Sequence, residues 1–260
     1  MFEPYHLGTG WSKKNAAVLA CLSEIAYLPK KEAMQKVSDL SDRPIDFVWF
    51  EKNDTQAFLC NLNGATVLVY RGTESIGDWM TDLDIVKTKG PAGTCHSGFL
   101  KAFIDTWDEV LPHIGRDGHS PIWIAGHSLG GALATLSVAD LLWMGIQVEG
   151  LYTFGCPRVG DQEFCNFINA KMGHRARRFV NNNDVVPRIP QRIFGYDHYD
   201  HVMHFGEDGT LHEDGLSWLA LLEDRLSGRI HDILSPGTDG MKDHFMANYK
   251  NLLERMDDGH

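Results

Sequence analysis

The residues best suited to chemistry lie in one short stretch. The apolar run Ile122-Trp123-Ile124-Ala125 leads into Gly126-His127-Ser128-Leu129-Gly130-Gly131, and an Ala/Leu-rich segment follows. A serine inside Gly-x-Ser-x-Gly, between a strand and a helix, sits on a tight, strained turn, with small residues where neighbours crowd its backbone. The helix that follows points backbone N–H groups and a positive dipole end at the same spot. That pattern suits a nucleophile. A serine hydroxyl is weak without a base and an orienting acid, and both are expected further along the chain. Asp184, in Asn181-Asn182-Asn183-Asp184-Val185-Val186-Pro187, is the leading acid. It falls just past a predicted strand, on a polar loop where amides can hold a carboxylate. Asp161, Asp197 and Asp200 compete with it. For the base, thirteen histidines must be sorted. His244, in Lys242-Asp243-His244-Phe245-Met246, precedes a predicted last helix, so its loop can carry the ring over the serine. His198, His201 and His204 recur at spacings of three, which admits a metal site as well as structural or exposed histidines. In a strand, the rings of His201 and His204 would point to opposite faces. His127 is held beside the serine on the turn and is badly placed as its base.

These groups need a frame. Ser12 to Leu28 reads as a helix with Ser12 as N-cap and Pro29 beyond its end. Ile45–Glu51, Thr55–Asn61 and Ala65–Arg71 read as strands, and Asn63-Gly64 is a hairpin turn between the last two. After a helix over Ser97–Leu111, strands and helices alternate. Strand Ile122–Ala125 precedes helix Leu129–Met144, strand Leu151–Phe154 precedes helix Gln162–Met172, and strand Arg177–Asn181 follows. That alternation predicts a mainly parallel α/β sheet covered on both faces. A strand at Val202–Phe205, a helix at Leu216–Leu226 and a last helix around Phe245–Arg255 complete the expectation. With no repeat, low-complexity tract or long linker, residues 1–260 read as a single domain.

Composition narrows the function classes. The 260 residues are 43% hydrophobic and 23% charged, ordinary for a globular chain. The net charge of −11 argues against sequence-independent nucleic-acid binding and against adsorption to anionic lipid headgroups, while leaving a neutral oil surface open. No apolar run reaches the length of a membrane span, and the N-terminal residues lack the basic start of a signal peptide. This pattern leaves a cytoplasmic place and another route of export both open. The five cysteines are odd in number and contain no CxxC pair, which fits a reducing compartment better than a disulfide framework.

With these residues assembled, the sequence resembles the class 3 (fungal-type) triacylglycerol lipases, an α/β-hydrolase family that includes feruloyl esterases. The matching pieces come in order. They are Val69-Tyr70-Arg71-Gly72-Thr73, Asp78-Trp79-Met80-Thr81-Asp82-Leu83, His96-Ser97-Gly98-Phe99, Gly126 to Gly131, Phe154-Gly155-Cys156-Pro157-Arg158-Val159-Gly160-Asp161, Asn183-Asp184-Val185-Val186-Pro187, and Asp243-His244. They extend from about Tyr70 to His244, most of the chain. The resemblance implies an α/β-hydrolase fold and a triad of Ser128, Asp184 and His244. It also implies an oxyanion hole from Thr73, where the family often has serine, and from the N–H of Leu129. His96 matches a family histidine near the site.

Ile76, Trp79, Met80 and Leu83 fall at i, i+3, i+4 and i+7, the stripe of a short amphipathic helix. Such a stripe can be plain core. In the family this place, about residues 74–86, holds a lid, and the resemblance implies one here. It implies a serine ester hydrolase, a triacylglycerol lipase by preference, acting on acylglycerol or other esters at a lipid–water interface. A feruloyl or short-chain carboxylesterase without interfacial activation is the alternative. A catalytically idle binding protein, a phospholipase and an acyl transferase are more distant readings. No cofactor or metal is expected, nor any nucleic-acid partner or transmembrane segment, and a monomer is.

Overall fold

The computed structural model describes residues 5–81, 84–115, 118–213 and 239–257. Apolar and β-branched runs form the strands β1 (Phe47–Lys52), β2 (Thr55–Leu62) and β3 (Ala65–Tyr70). Asn63 and Gly64 take φ of 51° and 97°, the paired positive values a two-residue hairpin turn demands, and they bring Leu62 opposite Ala65. Asn53 and Asp54 do the same between β1 and β2. A small hairpin, β4 (Lys87–Gly90) with β5 (Gly93–His96), stands apart from the main sheet. Then come β6 (Ile122–His127), β7 (Gly150–Phe154), β8 (Ala176–Asn181), β9 (Val202–Phe205) and β10 (Leu211–Glu213).

The main sheet has eight strands in the order β1-β2-β3-β6-β7-β8-β9-β10. Its centre, β3-β6-β7-β8-β9, is parallel, and antiparallel pairs flank it at both ends. Helices cover both faces. The crossover helices α4 (Ser97–Val110), α5 (Leu129–Trp143) and α6 (Gln162–Met172) pack on one face around Phe99, Trp107, Leu136 and Phe164. The helix α1 (Lys13–Ile25), the short α2 (Lys30–Asp39) and the C-terminal helix α8 (Met246–Asp257) cover the other around Leu19, Val37, Tyr249 and Leu253. Two further short helices are α3 (Ile76–Thr81) and α7 (Asp239–Asp243). This is the expected mainly parallel α/β arrangement. Because the central strands run the same way, their C-terminal ends share one edge, where open α/β sheets gather their functional loops.

The differences from the sequence expectation are local. Ser12 does cap α1, accepting the Asn15 amide at 3.0 Å, but the helix stops at Ile25 and residues 26–28 form a turn. Strand β6 runs two residues past Ala125 because its pairing with β7 continues to His127. Helix α2, the β4–β5 hairpin, β10 and α7 were not expected. Each is short, with too few apolar residues for a clear period. The helix expected at Leu216–Leu226 lies outside the described residues.

Candidate active site

Ser128 occupies the turn between β6 and α5 with φ 56° and ψ −129°, a conformation that an L-residue adopts only under constraint from its surroundings. The constraint is visible. The Ser128 amide donates to the Phe154 carbonyl at 2.9 Å, which stitches the turn to β7. A Cβ on Gly126 would lie 2.2 Å from the Gly130 carbonyl oxygen, and one on Gly130 would lie 2.3 Å from that of Tyr70. Both positions therefore need glycine, and the Gly-x-Ser-x-Gly spacing records that crowding. The Ser128 side chain is fully buried, and its hydroxyl has no hydrogen-bond partner among the described residues.

Asp184 lies three residues past β8, at the same sheet edge. Its carboxylate accepts from the Val186 amide at 2.9 Å and from the Tyr249 hydroxyl, and it faces His244 Nδ1 at 2.8 and 3.0 Å. Nδ1 of His244 carries the proton in that contact, since a carboxylate can only accept. The Nε2 atom of His244 is then the free basic nitrogen. It is buried and, like the serine hydroxyl, has no partner among the described residues. Gly155 closes the back of the pair, because a Cβ there would come within 2.8 Å of both Asp184 Oδ2 and the His244 ring.

The loop carrying His244, between α7 and α8, is fastened to the loop carrying Asp184. Asn181 Nδ2 donates to the Asp243 carbonyl at 2.9 Å, while Asn182 Nδ2 and the Asn183 amide donate to the Asp243 carboxylate at 3.1 and 3.2 Å. Sequence reasoning pointed to amides beside Asp184 but assigned no part to Asp243 or Tyr249. Asp243 adjoins His244 and could have been suspected. Nothing local marks Tyr249, which lies 65 positions from its carboxylate partner.

Tyr70 of β3 pairs with Gly126 of β6, so the segment Arg71-Gly72-Thr73 leaves its strand beside the serine turn. Thr73 is half-buried there, and Leu129 opens α5 directly after Ser128. Helix α3 follows. Ile76 is buried against Val185, Val186 and Ile189 of the Asp184 loop, and Trp79 stacks on Phe99 of α4 with ring centroids 5.8 Å apart. Two members of the expected stripe thus face inward. Leu83 lies outside the described residues, and so does the side chain of Met80. A cleft of about 300 Å³ lies alongside, bordered by Tyr27, Thr73, Ile76, His127, Phe245 and Met246.

The competing side chains have other partners. Asp161 caps α6, accepting the Phe164 amide at 3.0 Å, and also takes the Thr94 hydroxyl. Asp197 pairs with Arg192 at 2.9 Å, and Asp200 is exposed. His198 Nε2 meets the Pro187 carbonyl at 2.7 Å, His204 Nε2 meets that of Asn182 at 3.2 Å, and the His201 ring packs on His174 at 4.2 Å. His201 precedes β9 and does not share its strand with His204. Among the described residues, no group of three or more His, Cys, Asp or Glu is placed to hold a metal. His96, unassigned from sequence, caps α4 by accepting the Phe99 amide at 3.2 Å and donates from Nε2 to the Asp84 carbonyl. Burial holds it below the usual histidine range.

Comparison with known proteins places these observations. The family profile Lipase (class 3) matches residues 67–194. A lipase of Rhizomucor miehei is 38% identical over 152 residues, which span 54% of this chain and 40% of that protein. A secreted mono- and diacylglycerol lipase of Fusarium solani is 36% identical over 149 residues, spanning 53% and 43%. The matched segment thus covers less than half the length of either relative. Among solved structures, the Rhizomucor miehei triacylglyceride lipase superposes with a TM-score of 0.70 at 22% identity, over 95% of this chain and 99% of that one, a likeness of fold. Among the described residues, no helix is long and apolar enough to cross a membrane.

Proposed function

We propose that the chain is a member of the class 3 lipase family and a serine ester hydrolase whose preferred substrates are acylglycerols. The observation that carries this is a pair of buried, unpartnered atoms, the Ser128 hydroxyl and His244 Nε2, with Asp184 fixed on the far side of the imidazole. Burying two such polar groups without partners costs on the order of 1–3 kcal/mol each, a cost that a catalytic role accounts for.

In the reaction, Ser128 Oγ attacks the ester carbonyl while His244 Nε2 takes its proton. Asp184 holds the imidazole in the Nδ1–H tautomer and stabilises the imidazolium. The Leu129 amide and the Thr73 amide and hydroxyl are assigned to the oxyanion of the tetrahedral intermediate. His244 returns the proton to the leaving alcohol, which leaves an acyl-Ser128. Water, deprotonated by the same nitrogen, then attacks the acyl-enzyme and releases the fatty acid and the serine. The whole chain is read as one α/β-hydrolase domain, with α3 as the cover over the cleft and Ile76, Trp79, Met80 and Leu83 as its substrate-facing stripe. Acylglycerol emulsions suit the acidic surface, since a neutral oil does not repel it.

A second reading, a short-chain or feruloyl carboxylesterase, draws on the cleft, whose 300 Å³ is at the small end for a ligand site. Hydrolysis of tributyrin and olive-oil emulsions across the solubility limit separates the two, with Ser128→Ala as control. A rate jump when droplets form, absent in Ser128→Ala, supports the lipase. Simple saturation below the limit with no long-chain turnover supports the esterase. Activity near wild type in Ser128→Ala overturns both.

A further inference from the structure

His127 directly precedes the nucleophile and packs against the ring of the base, and every polar atom of its own ring is committed. Its Nε2 lies 2.6 Å from the backbone carbonyl of His244, 117 positions away. Its Nδ1 lies 2.7 Å from the hydroxyl of Tyr27, 100 positions away in the turn after α1. A carbonyl can only accept, so Nε2 bears the hydrogen. In a neutral imidazole Nδ1 must then accept, and the phenol donates to it. Burial keeps His127 well below the usual histidine range, and the nearby His244 adds to that. Burial likewise pushes the Tyr27 hydroxyl up, against the opposing charge of Arg71. Both groups keep the protons that this pattern requires.

The same pair touches three of the four segments assigned to catalysis, the serine turn, the His244 loop and the oxyanion segment. The His127 and His244 rings pack with centroids 4.5 Å apart and planes tilted by 33°. Tyr27 also abuts the oxyanion segment, since a Cβ on Gly72 would lie 2.3 Å from the phenol oxygen and 3.1 Å from Ser128 Cβ. The Arg71 guanidinium stands 5.6 Å from the centre of the Tyr27 ring.

We propose that Tyr27 and His127 are positioning residues that hold His244 against Ser128, through a chain from the Tyr27 hydroxyl to His127 Nδ1 and from His127 Nε2–H to the His244 carbonyl. The inference rests on the hydrolase reading and adds two residues to it. His127 takes no part in proton transfer, because neither nitrogen is free to do so. Its work is to fix the loop that carries the base, whose own loop contacts tie it to Asp184 and not to the serine turn. Displacements of about an ångström at a reacting centre cost on the order of 100-fold, so such a tie is worth having.

The test uses purified wild-type protein, Tyr27→Phe, His127→Gln and His127→Leu. Each is assayed on p-nitrophenyl butyrate below its solubility limit and titrated with a serine-reactive phosphonate to count competent sites. Tyr27→Phe keeps the ring and loses only the hydroxyl. Per titrated site, it should lower kcat about tenfold with KM changed less than twofold, and slow phosphonate labelling of Ser128 by the same factor. His127→Gln keeps a donor near the Nε2 position and should retain about ten times the kcat of His127→Leu. A purely structural role would lower the yield of titratable sites or the melting temperature and leave kcat per site unchanged, which overturns the proposal. Equal kcat for the Gln and Leu variants overturns it too. If the His127 variants do not fold, Tyr27→Phe decides alone. Wild-type protein that neither turns over nor labels removes the hydrolase reading, a result distinct from an active wild type with an unaffected Tyr27→Phe.

Discussion

The two sides of the cleft are held by different forces. On the side of Asp184 and His244, hydrogen bonds set nearly every polar atom. Val186 and Tyr249 hold the carboxylate, and Asn181, Asn182 and Asn183 hold the neighbouring Asp243. On the α3 side, Ile76 leans on Val185, Val186 and Ile189, and Trp79 stacks on Phe99, contacts that are apolar and non-directional. Just beyond α3 the ties turn polar: His96 bonds the Asp84 carbonyl, and the Tyr196 hydroxyl donates to the carbonyls of Ile85 and Val86. Directional bonds suit a region where, in the proposed reaction, a proton moves between fixed atoms. Apolar contacts suit a cover, because the same side chains are as content against a hydrocarbon as against each other. The contrast predicts that damage on the first side appears in kcat, and on the second in stability and in the choice of substrate.

The largest expected effect is at Asp184, the proposed orienting acid. Asp184→Asn keeps the shape but offers an amide to Nδ1, so it favours the wrong tautomer and should lower kcat by about four orders of magnitude. Steady-state hydrolysis of a soluble ester measures it, and a drop under tenfold would break the assignment. Tyr249→Phe comes next. It removes one donor from a carboxylate that keeps two partners, so kcat should fall about tenfold and unfolding stability by about 1–2 kcal/mol.

A smaller effect is the response to acid. Burial holds His127 and His198 well below the usual histidine value, with the charges of Arg178 and Arg158 adding to the shift at His198. The unfolded chain binds those protons near pH 6.5 and the folded one does not, so stability is full above about pH 6.5 and falls as the pH drops below it. Melting curves from pH 7.5 to 5 should show this slope, and His198→Gln should flatten it. A melting temperature that rises on acidification would contradict the neutral, buried histidines. Smallest on a soluble ester is the change at α3, the proposed cover. Trp79→Ala should alter p-nitrophenyl butyrate turnover less than threefold while lowering stability by about 1–3 kcal/mol. A hundredfold loss on that ester would erase the distinction between the two sides.

Much of the site was legible in the residues. The Gly-x-Ser-x-Gly stretch announced its turn because the crowding acts between atoms a few positions apart, as Gly126 against Gly130 shows. The Asn63-Gly64 turn and the Ser12 cap are equally local. The proposed acid and base were harder. Asp184 stood among four aspartates and His244 among thirteen histidines, and position together with family resemblance ordered them. Helix α2 and the β4–β5 hairpin escaped, since a few apolar residues in a polar stretch carry no readable period.

Backbone geometry and its steric demands were therefore written in short windows of sequence, and with them the order of strands and helices that makes a parallel α/β sheet. The partners of the reacting groups were not. Tyr249 reaches Asp184 across 65 positions, Tyr27 reaches His127 across 100, and His127 reaches the His244 loop across 117. None of these residues has a neighbour in sequence that hints at its partner. They meet because α1 and α8 pack together on one face of the sheet while the serine turn, the aspartate loop and the histidine loop converge at its edge. A hydrogen bond depends on distances of a few tenths of an ångström, and only the packed chain sets those.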